Sequence, residues 1–246
     1  MTVADRRLVS IAADIDGLVD EVPGWSPADQ LFALSLLAQA TSQLDGDLIE
    51  VGSWFGRSAI VLAAAARDTH GLVHCIDLFP TRDDWRRNAD GTYSFTVEID
   101  GRQYGGYQEQ TVWADPFERQ LQPLYAEAPD ILTQFRNNLK ARRLDQYVRA
   151  HRGTSTTFAA AAGPSLRARL VFIDGDHGYR AVINDIDRLE PFLVPGGWLL
   201  FDDAFSTYDG VNQAIAERIL DNPAYDLKRQ LTRKCFAARR APFEIR

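Results

Sequence analysis

Two rhythms alternate along this chain: short apolar runs and longer stretches in which apolar residues recur at helical spacing. Leu170 to Ile173 is apolar without interruption, the mark of a parallel strand covered on both faces. Leu48 to Val51, Leu72 to Ile76, Tyr147 to His151 and Trp198 to Phe201 read as further strands. From Tyr179 to Phe192 the apolar positions Val182, Ile183, Ile186, Leu189 and Phe192 mark one helix face. Ser58 to Arg67, Ala128 to Arg142, Thr156 to Ala162 and Val211 to Leu220 are helical too. Residues 1–45 carry two helical patterns, the second with Ser26 as cap, Pro27 as first residue, and Leu31, Phe32, Leu34, Leu36 and Leu37 following. Such leading helices cover a sheet face or an active-site mouth. Pro195-Gly196-Gly197 reads as the turn into the strand at Trp198, and Tyr225 to Leu231 with Lys234 to Ala238 as a final antiparallel pair. Strands alternating with helices predict an α/β protein built on a mostly parallel sheet.

That prediction locates a site. Parallel strands joined by a helix need a right-handed crossover, so both strands end on one edge of the sheet. The stretch from Leu170 to Ala204 therefore delivers Asp174, Asp176 and His177 from one strand, and Asp202 and Asp203 from the next, to the same edge. Ligands of open α/β sheets bind outside such carboxyl ends. Leu48 to Arg67 forms a strand, glycine turn and helix, where the backbone approaches a ligand and the helix N-terminus favours a carboxylate or phosphate. The spacing Gly52-x-x-x-Gly56 departs from the dinucleotide fingerprint and counts against a nicotinamide cofactor. Asp77, at the end of the second strand, stands where a ribose diol is gripped, the alternative being a solvated loop aspartate. Gly153-Thr154-Ser155 forms a turn that caps the helix after it.

Residues 79–128 lack sustained periodicity yet are rich in Trp, Tyr, Gly, Arg and Asp. Their aromatic content argues against disorder. Thr92 to Ile99 predicts a hairpin strand turning at Asp100-Gly101, and the segment reads as an insertion that closes over substrate, or else as a surface flap or oligomer contact.

Composition narrows the classes. The 246 residues are 46% hydrophobic and 25% charged, ordinary for a globular protein, and without internal repeat or linker they predict a single domain over 1–246. A net charge of -7 argues against a nucleic-acid partner. Cys75 and Cys235 read as buried thiols, and Lys228, Arg229, Arg233, Lys234, Arg239 and Arg240 as a solvated face, with phosphate steering as the alternative. The N-terminus has no signal-peptide core and no run approaches the ~20 apolar residues of a membrane span, so a cytoplasmic protein with no membrane partner is expected.

The ordered motifs IEVGSWFGRS, CID, GTS, FIDGDHGY and GGWLLFDD resemble the class I S-adenosylmethionine-dependent methyltransferases. The similarity is greatest to the branch of the macrolide-sugar (macrocin-type) O-methyltransferases, with catechol O-methyltransferase more distant, and it covers about residues 45–205. The resemblance implies a Rossmann-like seven-stranded sheet with helices on both faces, an antiparallel C-terminal strand, N-terminal helices and an inserted lid. It implies that Glu50, Gly52, Ser53 and Gly56 line the methionine end of S-adenosyl-L-methionine, with Ser58 also cofactor-binding, that Asp77 holds the ribose, and that Gly153, Thr154 and Ser155 border the adenine. It further implies Mg²⁺ on Asp174, Asp202 and Asp203, and a general base at His177, three residues past the first metal ligand. The insertion at 79–128 matches nothing in the family pattern.

The residues support that chemistry on their own terms. Carboxylates converging on one edge repel unless a cation lies between them, and hard oxygen donors suit Mg²⁺, with Mn²⁺ or Ca²⁺ as alternatives. The competing reading is that Asp202 and Asp203 cap the following helix while Asp174 binds the cofactor amine, as in metal-free methyltransferases. His177 is suited to general-base work at neutral pH; whether its neighbours raise or lower its pKa is not fixed by sequence. The expected activity is therefore divalent-metal-assisted O-methylation of a small-molecule hydroxyl, a sugar of a natural product first and a catechol second, with Asp174 and His177 as the catalytic pair. A hydroxylase or nicotinamide-dependent oxidoreductase on the same fold, and a non-catalytic binding subunit, are the other readings. Relatives of this kind form dimers or larger rings, so a homo-oligomer is expected.

Overall fold

A computed structural model of the protein describes residues 14–105, 112–127 and 130–242. Helical residues 14–21 (α1) and α2 (Ala28–Ala40) precede a seven-stranded sheet. Its strands are β1 (Asp47–Val51), β2 (Val73–Asp77), β6 (Val148–Arg152), β7 (Ala168–Ile173), β8 (Leu193–Phe201), β9 (Tyr225–Gln230) and β10 (Phe236–Arg240), in spatial order β6-β2-β1-β7-β8-β10-β9. From β6 to β8 every pairing is parallel; β10 runs antiparallel to both its neighbours. The expected seven-stranded, mostly parallel sheet with an antiparallel C-terminal strand is what forms.

The apolar runs explain the layering. Successive strand residues point to opposite faces, and here both faces are covered. Leu48, Leu170, Phe172 and Leu200 pack with α2, α3 (Arg57–Asp68) and α6 (Ile131–Ala141) on one side. Ile49, Val171, Ile173 and Phe201 pack with α7 (Ser155–Ala161), α8 (Tyr179–Leu189) and α9 (Asp209–Ile215) on the other. Cys75 and Cys235 are buried free thiols, as expected.

Three local readings are corrected. Pro195-Gly196-Gly197 is not the turn before a strand but a bulge inside β8: Gly196 takes a left-handed φ of 83°, and the pairing jumps from Ala168↔Leu193 to Leu170↔Trp198. Ser26 does not cap α2. Pro27 occupies the cap position without a side-chain bond, and Ser26 turns towards Asp174. Helix α6 begins at Ile131, not Ala128, because Asp130 caps it by accepting from the Thr133 amide; residues 128–129 lie outside the described ones.

One buried cation stands at the starting edge of the sheet. Arg169, second residue of β7, is 0% exposed and donates to the carbonyls of Gly46, Ala38 and His70 and to the hydroxyls of Thr41 and Thr69. It ties the C-terminal ends of α2 and α3, where carbonyls are left over, to the centre of the sheet. Beside it, His74 bridges Asp47 (2.9 Å) and His151 (3.2 Å).

The described residues of the insertion form a second small sheet and two helical pieces. Strands β3 (Trp85–Arg87), β4 (Tyr93–Ile99) and β5 (Arg102–Gly105) form an antiparallel sheet, with the predicted hairpin turning at Asp100 and Gly101, both at positive φ. Two helical pieces, α4 (Ala114–Pro116) and α5 (Gln122–Glu127), follow, joined by a π turn. Trp85 anchors the sheet, its ring 4.9 Å from Phe95, 5.0 Å from Phe117 and 6.3 Å from Trp54 of the glycine turn.

Candidate active site

Two cavities open at the carboxyl edge of the parallel strands. The larger, of about 490 Å³, is bounded by Gly52, Ser53, Ser58 and Asp77, by Asp174, His177, Asp202 and Asp203, and by a rim of Trp25, Trp54, Trp85, Phe95, Trp113 and Tyr208. The smaller, of about 230 Å³, is bounded by Gly52, Asp77, Gly153, Thr154, Ser155 and Asp185 and by Phe95, Tyr104 and Gly105 of the insertion. Together they make one trough along the strand ends, roofed by the inserted sheet.

The glycine turn approaches as closely as the sequence requires. A Cβ on Gly52 would lie 1.9 Å from the Asp174 carbonyl oxygen, so only glycine lets β1 and β7 meet there. Asp77 is pinned beside it, accepting from the amides of Trp54 (2.8 Å) and Phe79 (2.6 Å). Burial nonetheless raises its pKa, against those two bonds. Thr154 caps α7, as the turn signal indicates, and Ser155 donates to Asp185, whose carboxyl burial lifts to about 7. Two expected cofactor residues line neither cavity. Glu50 lies fully buried on β1 behind Ser53 and Ser58, its pKa raised by burial to about 7. Gly56 starts α3 at φ 91°, where a Cβ would press within 2.9 Å of the Phe135 ring.

In the larger cavity the acidic residues converge. His177 Nε2 lies 3.9 Å from Asp174 Oδ1 and 3.7 Å from Asp203 Oδ2, and its ring stacks on Tyr208 at 4.7 Å. Asp174, His177 and Asp202 each offer a donor atom within 4.8 Å of the others. Ser26 Oγ comes within 3.5 Å of Asp174 Oδ2 from a segment that Arg57 holds through the carbonyls of Val19, Val22 and Ser26. Burial lowers the pKa of His177, outweighing the pull of Asp203 and Asp202, so the imidazole is neutral at pH 7. Burial raises Asp174 well above the usual carboxylate range, and the facing Asp202 adds to the shift.

Sequence reasoning missed one member. Lys234 does not belong to a solvated basic face: its ammonium lies 3.0 Å from Asp202 Oδ2 and 3.2 Å from Asp203 Oδ1. Burial opposes its charge, but Asp202, Asp174 and Asp203 outweigh it and raise the pKa. Arg239 and Arg240 are also engaged, with Asp226 and with the carbonyls of Glu190 and Leu193. Composition hid this because six cations close in sequence read as one patch. The available signal was register: β10 runs antiparallel to β8 with Phe236 opposite Phe201, which brings the residues just before Phe236 alongside those just after Phe201.

The trough therefore combines a glycine-turn half suited to a nucleoside with an acidic half bearing a neutral imidazole. Comparison with solved structures gives the same architecture. The O-methyltransferase NovP superposes with TM-score 0.65 at 18% identity, covering 96% of this chain and 99% of its own. CalS11, a TDP-rhamnose 3'-O-methyltransferase of calicheamicin biosynthesis, gives 0.53 at 15%, covering 94% and 93%. TomG of Streptomyces achromogenes, an O-methyltransferase of tomaymycin synthesis, gives 0.53 at 15%, covering 94% and 88%. At these identities the likeness establishes the fold. A sequence profile described as a methyltransferase domain matches residues 49–204, from the first strand of the sheet to the end of the acidic loop. The chain belongs to that methyltransferase-domain family, on the class I S-adenosylmethionine-dependent fold.

Proposed function

We propose that this enzyme transfers a methyl group from S-adenosylmethionine to a hydroxyl of a small molecule of natural-product type, with help from a divalent cation. The observation that carries the reading is the placement of His177, 8% exposed, between Asp174 and Asp203 in the same cavity that Gly52, Ser53 and Ser58 line. A hydroxyl seated there has both a proton acceptor and the mouth of the glycine turn beside it.

When bound, the donor would supply a sulfonium methyl as electrophile, and a hard divalent ion would lower the pKa of a hydroxyl beside it. Asp174 and Asp202 would hold the ion, with Asp203 as the third carboxylate that the sequence points to; Asp174, Asp202 and His177 are the group whose donor atoms lie within 4.8 Å of one another. The carboxylates are oxygen donors, and Oδ1 of Asp202 is buried without a hydrogen-bond donor among the described residues. Burial, with the facing Asp202 adding to it, disfavours the charged form of Asp174, and a cation between the two would relieve that cost. The chain's own residues do the rest. Asp77 faces the ribose, Gly153 and Thr154 border the base, and His177 takes the acceptor proton as the new C–O bond forms. The aromatic rim excludes water and gives an acceptor ring flat surfaces to stack on.

Calorimetric titration with S-adenosylmethionine and S-adenosylhomocysteine tests the first half, with binding of both expected. Transfer of labelled methyl to a panel of hydroxylated sugars and phenols, with and without chelator, tests the second. Activity indifferent to chelation would remove the metal from the scheme, and transfer to nitrogen or carbon acceptors alone would overturn it.

A further inference from the structure

The hairpin turn between β9 and β10 enters the acidic site by construction. The amide of Ala204, next to Asp203, donates to the carbonyl of Lys234 at 2.9 Å. Thr232 Oγ1 accepts from the Cys235 amide at 3.1 Å, and Cys235 itself is 0% exposed. The backbone of Lys234 is thus riveted beside the loop that carries Asp202 and Asp203, and its side chain, 13% exposed, reaches into the cavity. Its ammonium takes up an oxygen from each of two carboxylates that a divalent ion would use.

We infer that Lys234 is the resident counter-cation of this site and a built-in competitor of the divalent ion for Asp202 and Asp203. The inference rests on the proposed metal-assisted reading and adds what that reading lacks, a reason for an ammonium in the middle of the ligand set. An ammonium and a dication cannot share two carboxylates at contact distance without strong repulsion. The metal therefore enters by displacing Lys234, whose four-carbon stem lets the charge swing into the open cavity while its backbone stays fixed. Before metal arrives, the ammonium keeps two like charges from pushing the loop apart. Metal affinity is set below that of a bare three-carboxylate site, and occupancy becomes sensitive to cation supply.

The test uses the full chain as wild type, Lys234→Met and Lys234→Arg. Free Mn²⁺ is followed by electron paramagnetic resonance, with S-adenosylhomocysteine affinity and thermal unfolding as controls for the fold. Lys234→Met is expected to bind Mn²⁺ at least about tenfold more tightly than wild type, and Lys234→Arg no more tightly than wild type. Adding Asp202→Asn to Lys234→Met should abolish the gain. Equal or weaker Mn²⁺ binding by a folded Lys234→Met protein overturns the proposal. A second readout needs no variant. The chain has three lysines, Lys140, Lys228 and Lys234, and amine acetylation read by mass spectrometry should show Lys234 becoming more reactive with Mn²⁺ while the other two stay constant. No change at Lys234 also overturns it. Failure of the wild type to bind S-adenosylhomocysteine would instead sink the methyl-transfer reading, leaving the Mn²⁺ comparison to decide this proposal alone.

Discussion

Two cations, one buried and one partly buried, sit at opposite edges of the same sheet and do opposite jobs. Arg169, at the start of β7, donates only to carbonyl and hydroxyl oxygens that carry no formal charge, with the Asp47 carboxylate nearby, and it holds helix ends in place. Lys234, by the end of β8, is surrounded by carboxylates at a cavity open to solvent. Neutral partners with nowhere else to turn make a permanent fastening. Charged partners beside water make an exchangeable one, because another cation can take the same oxygens. The residue types follow: a planar fork with five donors for the fastening, a flexible point charge for the exchange.

The largest expected effect belongs to the exchangeable edge. His177→Ala should lower turnover about 10²–10⁴-fold while leaving the binding of S-adenosylhomocysteine and the melting temperature in place. A lost fold in that variant would mean the edge is architectural after all. Arg169→Met comes next, with an expected loss of about 3–5 kcal/mol in denaturant unfolding, since it orphans several buried acceptors at once. A smaller cost for Lys234→Met, about 1–2 kcal/mol, recovered on adding Mn²⁺, would sharpen the contrast; equal costs at the two sites would erase it.

The smallest effect concerns pH at the starting edge. His151 stacks on His74 at 5.4 Å, and burial, with the facing imidazole, holds it below the ordinary value of about 6.5. Below that value the unfolded chain binds more protons than the folded one. Stability should therefore fall as pH drops from about 6.5 towards the depressed folded value, and be fully present above it. Asp47 is likewise held low by bonds from His74 and the Leu72 amide, against the pull of burial, which adds a second loss in stronger acid. Urea midpoints at about pH 7.5 and about pH 5.5 would show the first step, and His151→Gln should flatten it.

What the sequence made legible was whatever depends on neighbours along the chain. The unbroken run at Leu170 to Ile173, the glycine turn and the Asp100-Gly101 hairpin each encode local geometry, and each formed where expected. The acidic edge was legible because a crossover rule converts strand ends into spatial neighbours. Lys234, Arg169 and Ser26 were not, because each acts across the fold on partners that only tertiary registration supplies. Pro195-Gly196-Gly197 misled for another reason: the same residues serve a turn or a bulge, and only the pairing of β8 with β7 decides between them.

Gly52 and Asp174 have one last consequence. With 1.9 Å between a notional Cβ and the Asp174 carbonyl oxygen, the donor-side loop and the acceptor-side loop are dovetailed like a joint cut from two boards. Neither can be reshaped alone. A laboratory wishing to graft this chemistry onto another scaffold, or to retune its donor, must carry both crossovers across as a single block.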